Sequence, residues 1–120
     1  MATIKTLIGN LKSTPHDVYS TDETVVGTWF DGKKIYRKVM KFPVMTNQMT
    51  VLENIDHIIN ASGYFIWNGA MWHQYKFPCN DNDVIAHIVV DNDIAKIYTN
   101  YTDDTLINLV LYLEYTKTTD

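Results

Sequence analysis

Two runs of strand-forming residues separated by Asp31-Gly32 constrain this chain more than any other feature. Val25, Val26, Thr28, Trp29 and Phe30 are β-branched or aromatic, and Ile35, Tyr36 and Val39 resume that character after the break. Such side chains fit a pleated, half-buried surface. Asp-Gly favours a two-residue type I′ turn, in which both central residues take positive φ. Residues 24–30 and 34–44 are therefore predicted to form a β-hairpin, with Trp29 directed into the core. Pro43 has no amide hydrogen and marks an edge or a strand end.

The same alternation of strand runs and turn signals continues down the chain. Residues 64–67 and 71–77 flank Asn68-Gly69, and residues 84–90 and 95–101 flank Asp91-Asn92-Asp93. In residues 106–116, Ile107, Leu109, Leu111 and Leu113 alternate with Asn108, Val110, Tyr112 and Glu114. Only residues 51–60 break the rhythm. Leu52, Ile55, Ile58 and Ile59 stand at helical spacing and predict a short helix or helical turn, with a bent, strand-like connection as the alternative. Seven strands at this spacing predict an all-β fold, a β-sandwich or jelly-roll-like domain over residues 19–120. A chain of 120 residues with 46% hydrophobic and 20% charged residues has the composition of one globular domain. It can bury roughly two-thirds of the surface its unfolded form exposes.

Residues 1–18 read differently, as an N-terminal arm. Ile4, Leu7, Ile8 and Leu11 fit a short amphipathic helix, although a strand over residues 3–8 fits equally well. Ser13-Thr14-Pro15 then breaks the pattern. The apolar face of this arm is expected to serve attachment or oligomerisation.

Several function classes lose support. The net charge of −4 argues against nucleic-acid binding, which needs a basic patch. The one basic cluster, Lys33, Lys34, Arg37, Lys38 and Lys41, reads as a solvated strand edge that resists strand addition. The single cysteine, Cys79, cannot form a disulfide within the chain and reads as a buried, inert thiol. No apolar run reaches the length of a membrane span or a signal peptide, so no membrane insertion is expected. His16, His57, His73 and His87 lack metal-ligand spacing. Asp81-Asn82-Asp83 and Asp91-Asn92-Asp93 lack the Gly and Glu that complete a calcium loop, and they read as turns. Ser13, Ser20 and Ser62 have no nucleophile-elbow setting. No catalytic residues, metal or cofactor are expected. The aromatic residues are the better lead. Tyr64, Trp67, Trp72 and Tyr75 crowd one hairpin beside Asn68 and Gln74, as on sugar-binding and protein-binding surfaces; the alternative is ordinary core and cross-strand packing.

Three pieces of the chain resemble a known domain. They are Tyr-Ser-Thr-Asp-Glu-Thr-Val-Val-Gly-Thr-Trp-Phe-Asp-Gly-Lys-Lys-Ile-Tyr-Arg-Lys at residues 19–38, Leu-Glu-Asn-Ile-Asp-His-Ile-Ile-Asn-Ala-Ser-Gly at residues 52–63, and Leu-Glu-Tyr-Thr-Lys-Thr-Thr-Asp at residues 113–120. This series is similar to a small domain that closes many tail-fibre, baseplate and head-fibre proteins of phages and prophages of gut bacteria. The first and last pieces are specific, and the middle one draws its weight from them. The resemblance implies a β-rich virion surface module assembled in the host cytoplasm, borne on a homotrimeric fibre and bound to phage capsid or tail proteins. It implies adhesion, with a bacterial cell-surface glycan as the natural ligand, and no catalysis. It supplies no binding residues. Family members carry this domain after a long fibre, whereas 18 residues precede it here, which suits a short head fibre or capsid decoration. A tail-fibre or baseplate receptor-binding module is the alternative, and a glycan-active enzyme a remote third.

Overall fold

The computed structural model describes residues 19–68, 72–81, 83–101 and 105–119, without the side chain of Trp72. They form nine strands: β1 (Thr24–Thr28), β2 (Lys34–Val44), β3 (Met49–Glu53), β4 (Ile55–Asn68), β5 (Trp72–Phe77), β6 (Cys79–Asn80), β7 (Ile85–Asp91), β8 (Ile94–Thr99) and β9 (Leu106–Lys117). A five-stranded sheet has the order β1-β2-β9-β4-β5, and a four-stranded sheet the order β3-β8-β7-β6. Every pairing is antiparallel. The all-β sandwich read from the sequence is the fold; the arm at residues 1–18 lies outside the described residues.

The core lies between the sheets. β9 supplies Leu109, Leu111, Leu113 and Tyr115, all fully buried. Met40, Phe65 and Phe77 join them from the same sheet, and Ala86, Ala95 and Ile97 from the other. Burying each such Leu or Phe stabilises the fold by roughly 1.5–3 kcal/mol relative to exposure. Residues on alternate positions of the five-stranded sheet face away from this core and form its outer face.

The predicted helix at residues 51–60 is not there. β3 runs to Glu53, Asn54 takes φ 59°, and β4 begins at Ile55 in the other sheet. The helical spacing has a physical cause. β4 bulges against β9 between Ile55 and His57 and again between Ile58 and Asn60. Each bulge inserts one residue and slips the two-residue alternation. Apolar residues three apart therefore come from an interrupted strand. β9 behaves likewise. Asn108 at φ 54° shifts the phase, so Leu106 rather than Ile107 is buried with Leu109.

The first hairpin forms, but not with a type I′ turn. The Gly32 amide donates to the Trp29 carbonyl and the Trp29 amide to the Lys33 carbonyl, at 2.9 and 2.8 Å. This is a three-residue loop in which Gly32 alone takes positive φ, at 89°. Asp31 instead uses its carboxylate, accepting the Lys33 amide at 3.0 Å. Trp29 is only half-buried, leaning on a Phe30 ring that is 89% exposed, and it does not enter the core. The two-residue turn with both φ values positive falls at Asn92-Asp93, with φ of 52° and 64°, between the paired Asp91 and Ile94. β4 and β5 pair from Asn68 and Trp72 inward; the turn predicted at Asn68-Gly69 lies outside the described residues at Gly69.

The basic cluster is not a uniform solvated edge. β2 is flanked by β1 along Lys34–Arg37 and by β9 along its length. Arg37 is buried at 8% exposure. β2 has an open edge only beyond Val39, whose amide donates to the Ser20 carbonyl at 2.9 Å. Lys41 and Pro43 lie there, a charge and a missing amide that both discourage strand addition.

Candidate functional site

The registers of four strands build ordered rows on the outer face of the five-stranded sheet. Lys41 on β2 stands opposite Val110 on β9, Val110 opposite Tyr64 on β4, and Tyr64 opposite Lys76 on β5. The row below runs Val39, Tyr112, Ser62, and the next runs Arg37, Glu114, Asn60. A groove of about 460 Å³ crosses these rows, lined by Tyr19, Val39, Asn60, Ser62, Gly63, Tyr64, Val110 and Tyr112. A second hollow of about 380 Å³ continues it past Tyr64 and Val110 to Lys41, Pro43 and Asn108.

Gly63 contributes only backbone to the groove. A Cβ there would lie 2.1 Å from the Val110 carbonyl oxygen, so no side chain can stand between β4 and β9. Tyr64 rises beside it, 45% exposed. Tyr19 forms a wall by packing edge-on against Tyr112, with ring centroids 5.1 Å apart. The Arg37 guanidinium holds both rings, 4.9 Å from the Tyr19 centroid and 5.6 Å from that of Tyr112. It also donates Nε–H and Nη2–H bonds to Glu114 Oε2 at 3.3 and 3.1 Å. Burial opposes the charge on Arg37, yet hydrogen bonds with Tyr112 and Glu114 outweigh it and raise its pKa. Burial, then the Glu114 carboxylate, push the Tyr112 hydroxyl up to about 12. The lower end of the groove is thus a fixed, neutralised cluster. Among the described residues no carboxylate pairs with Lys41 or Lys76.

The predicted aromatic quartet does not form one platform. Tyr64 lies on the outer face. Trp67 and Tyr75 face inward, where Trp67 meets Tyr75 edge-on at 6.4 Å and stacks on His73 at 6.3 Å, while Tyr75 stacks on Phe65 at 5.8 Å. Both pack against the core. Trp72 pairs with Asn68 through the β5 backbone, and its side chain lies outside the described residues. Ile4, Leu7, Ile8 and Leu11 also lie outside them. Sequence reasoning missed Tyr19, Tyr112, Lys41 and Lys76 as neighbours of Tyr64. The β9 alternation hinted at Tyr112 facing away from the leucines. Nothing in the sequence disclosed that β9 inserts between β2 and β4.

Other polar groups serve structure. Cys79 is half-buried, donates to the Val84 carbonyl at 3.6 Å, and has its pKa raised by burial. Asp81 accepts the Asp83 amide at 3.0 Å, as a turn requires; Asn82 lies outside the described residues. Among the described residues no group of three or more His, Cys, Asp or Glu is placed to hold a metal ion. Comparison of the chain with family models, curated proteins and solved structures found no match.

Proposed function

We propose that this chain is a bacteriophage virion structural protein, a short trimeric fibre or a capsid or tail decoration, whose β-sandwich faces outward and aids adhesion to the host surface. One observation carries the reading: the three pieces that resemble the phage domain interlock at one end of the five-stranded sheet. Glu23, from the first piece, accepts hydrogen bonds from Tyr115 and Lys117, from the last. Lys33, also from the first, bonds to Asp56 of the middle piece at 2.8 Å and to the Lys117 carbonyl at 3.3 Å. Tyr36 stacks on Tyr115 at 6.0 Å, and the Lys117 ammonium lies 4.3 Å from the Tyr36 ring centroid. The three pieces thus lie together in one folded unit, which is what a shared domain would require.

Two experiments test this. An antibody raised against the chain should label purified phage particles, and its absence from them overturns the reading. Light scattering after size exclusion should return three times the 13.9 kDa chain mass; a strict monomer at micromolar concentration counts against a fibre. A tail-fibre or baseplate receptor-binding module is the second reading, favoured by the exposed Tyr64 between two lysines on an open face.

A further inference from the structure

We propose that the row Lys41–Val110–Tyr64–Lys76 is a binding site for an acidic oligosaccharide. The inference rests on the adhesion reading above and names the chemistry of its ligand. Its basis is the order of side chains across the sheet: cation, aliphatic, aromatic, cation. The centre offers an apolar pair, the exposed Tyr64 ring beside Val110, against which the C–H face of a pyranose ring can lie. Three strand spacings put the two lysine Cα atoms about 14 Å apart. Lysine side chains are long enough to reach inward from both ends, so carboxylates on the first and last rings of a short chain can each meet a cation. Ser62 and Asn60, in the same groove, can bond to ring hydroxyls.

Charge complementarity singles out an acidic sugar. The whole chain carries −4, yet this row holds two cations with no carboxylate partner among the described residues. Among the described residues of the neighbouring rows, the carboxylate of Glu114 is engaged by Arg37. A nucleic acid would require cations repeated along a backbone track. Here the centre of the row is apolar and the cations are confined to its ends. A neutral sugar would use Tyr64 and leave both lysines idle.

The experiment is a titration of the full chain with tri-galacturonate, followed by amide chemical shifts and calorimetry. Its fully methyl-esterified form keeps the three rings without the charge and serves as the control, and tri-aspartate keeps the charge without the rings. Tri-galacturonate should bind with shifts centred on Lys41, Tyr64, Lys76 and Val110, and its affinity should fall several-fold as salt rises from about 50 to 500 mM. Lys41→Gln and Lys76→Gln should each weaken it about fivefold, the scale of one partly exposed ion pair. Tyr64→Ala should abolish it, and Lys34→Gln, away from the row, should leave it unchanged. Circular dichroism checks that each variant folds. Equal binding of the methyl ester or of tri-aspartate overturns the proposal, as does binding that ignores the lysine changes. Whole-cell binding of the full chain separates the two readings: a chain that binds host cells but not tri-galacturonate keeps the adhesion reading and sinks this one.

Discussion

Replacing Gly63 with alanine is expected to cost the domain about 3 kcal/mol. The added Cβ would lie 2.1 Å from the Val110 carbonyl oxygen, 3.1 Å from the carbonyl carbon and 3.2 Å from the Leu111 Cα. The first of these falls more than 1 Å short of an ordinary van der Waals separation. All three atoms belong to the β9 backbone, so no side chain can swing aside. Relief requires β4 and β9 to part, and that pair joins the two halves of the five-stranded sheet. Overpacking ordinarily costs about 1–3 kcal/mol, and a rigid backbone obstacle belongs at the top of that range. For a domain of this size the melting temperature should fall by about 12 °C. Urea unfolding monitored by tryptophan fluorescence measures the change directly, with the slope against urea unaltered. Gly27→Ala is the internal control. Its Cβ would meet only the Ile35 Cδ1 at 3.7 Å, and it should change stability by less than about 1 kcal/mol in either direction. A Gly63→Ala protein as stable as the parent would refute the close approach of the β9 backbone to Gly63.

Three further predictions concern contacts elsewhere in the fold. Glu114→Ala leaves the buried Arg37 guanidinium without its carboxylate and should destabilise the fold by about 3 kcal/mol, whereas the double change Arg37→Met/Glu114→Leu should recover much of the loss in the same unfolding assay. Acid should weaken the closed end of the sheet. Burial raises the pKa of Glu23, but hydrogen bonds from Lys117 and Tyr115 outweigh it and hold it below 4.5; the Lys33 ammonium likewise holds Asp56 below 3.8. Because the folded values lie below the unfolded ones, this stabilisation is complete above those pH values and is lost as pH falls through the folded ones. Unfolding free energy measured at pH 6, 4 and 3 should therefore fall less steeply in Glu23→Gln than in the parent, and an unchanged slope would disprove the role of Glu23. Asp93→Gly places the preferred residue at φ 64° in the two-residue turn and should stabilise the protein by about 0.5–1 kcal/mol, read as a higher urea midpoint.

Much of the fold was legible because its signals are local. The strand runs, the hairpins and the unbroken alternation at Leu109, Leu111 and Leu113 are properties of neighbours in sequence. What misled was the assumption of an unbroken period. The bulges in β4 displaced Ile55 and Ile58 into a helix-like spacing, and nothing local marks a bulge that a distant strand imposes. The Asp31-Gly32 turn shows a subtler limit. The pair was right for a hairpin, but the Asp31 carboxylate accepts the Lys33 amide in a three-residue loop rather than lying within a two-residue turn. The candidate site was the least legible part. Tyr64 and Trp67 lie three apart on one strand, and a bulge opposite Phe65 does not bring them to one face. Lys41 and Lys76 become neighbours of Tyr64 only through two long-range pairings.

The position of β9 has a consequence for how the molecule is made. It is the last of the nine strands to be synthesised, yet it is the central strand of the larger sheet, and β2 and β4 each pair with it rather than with one another. Until β9 arrives, β2 and β4 each present an unpaired edge, and most of the core has no partner. Domains usually fold as units, and non-local pairings form late. A ribosome stalled before residue 106 would release a chain with no route to the native sheet. The architecture thus acts as a check on synthesis: only copies that include β9 acquire the folded surface, and those cut short before it remain recognisable to proteases.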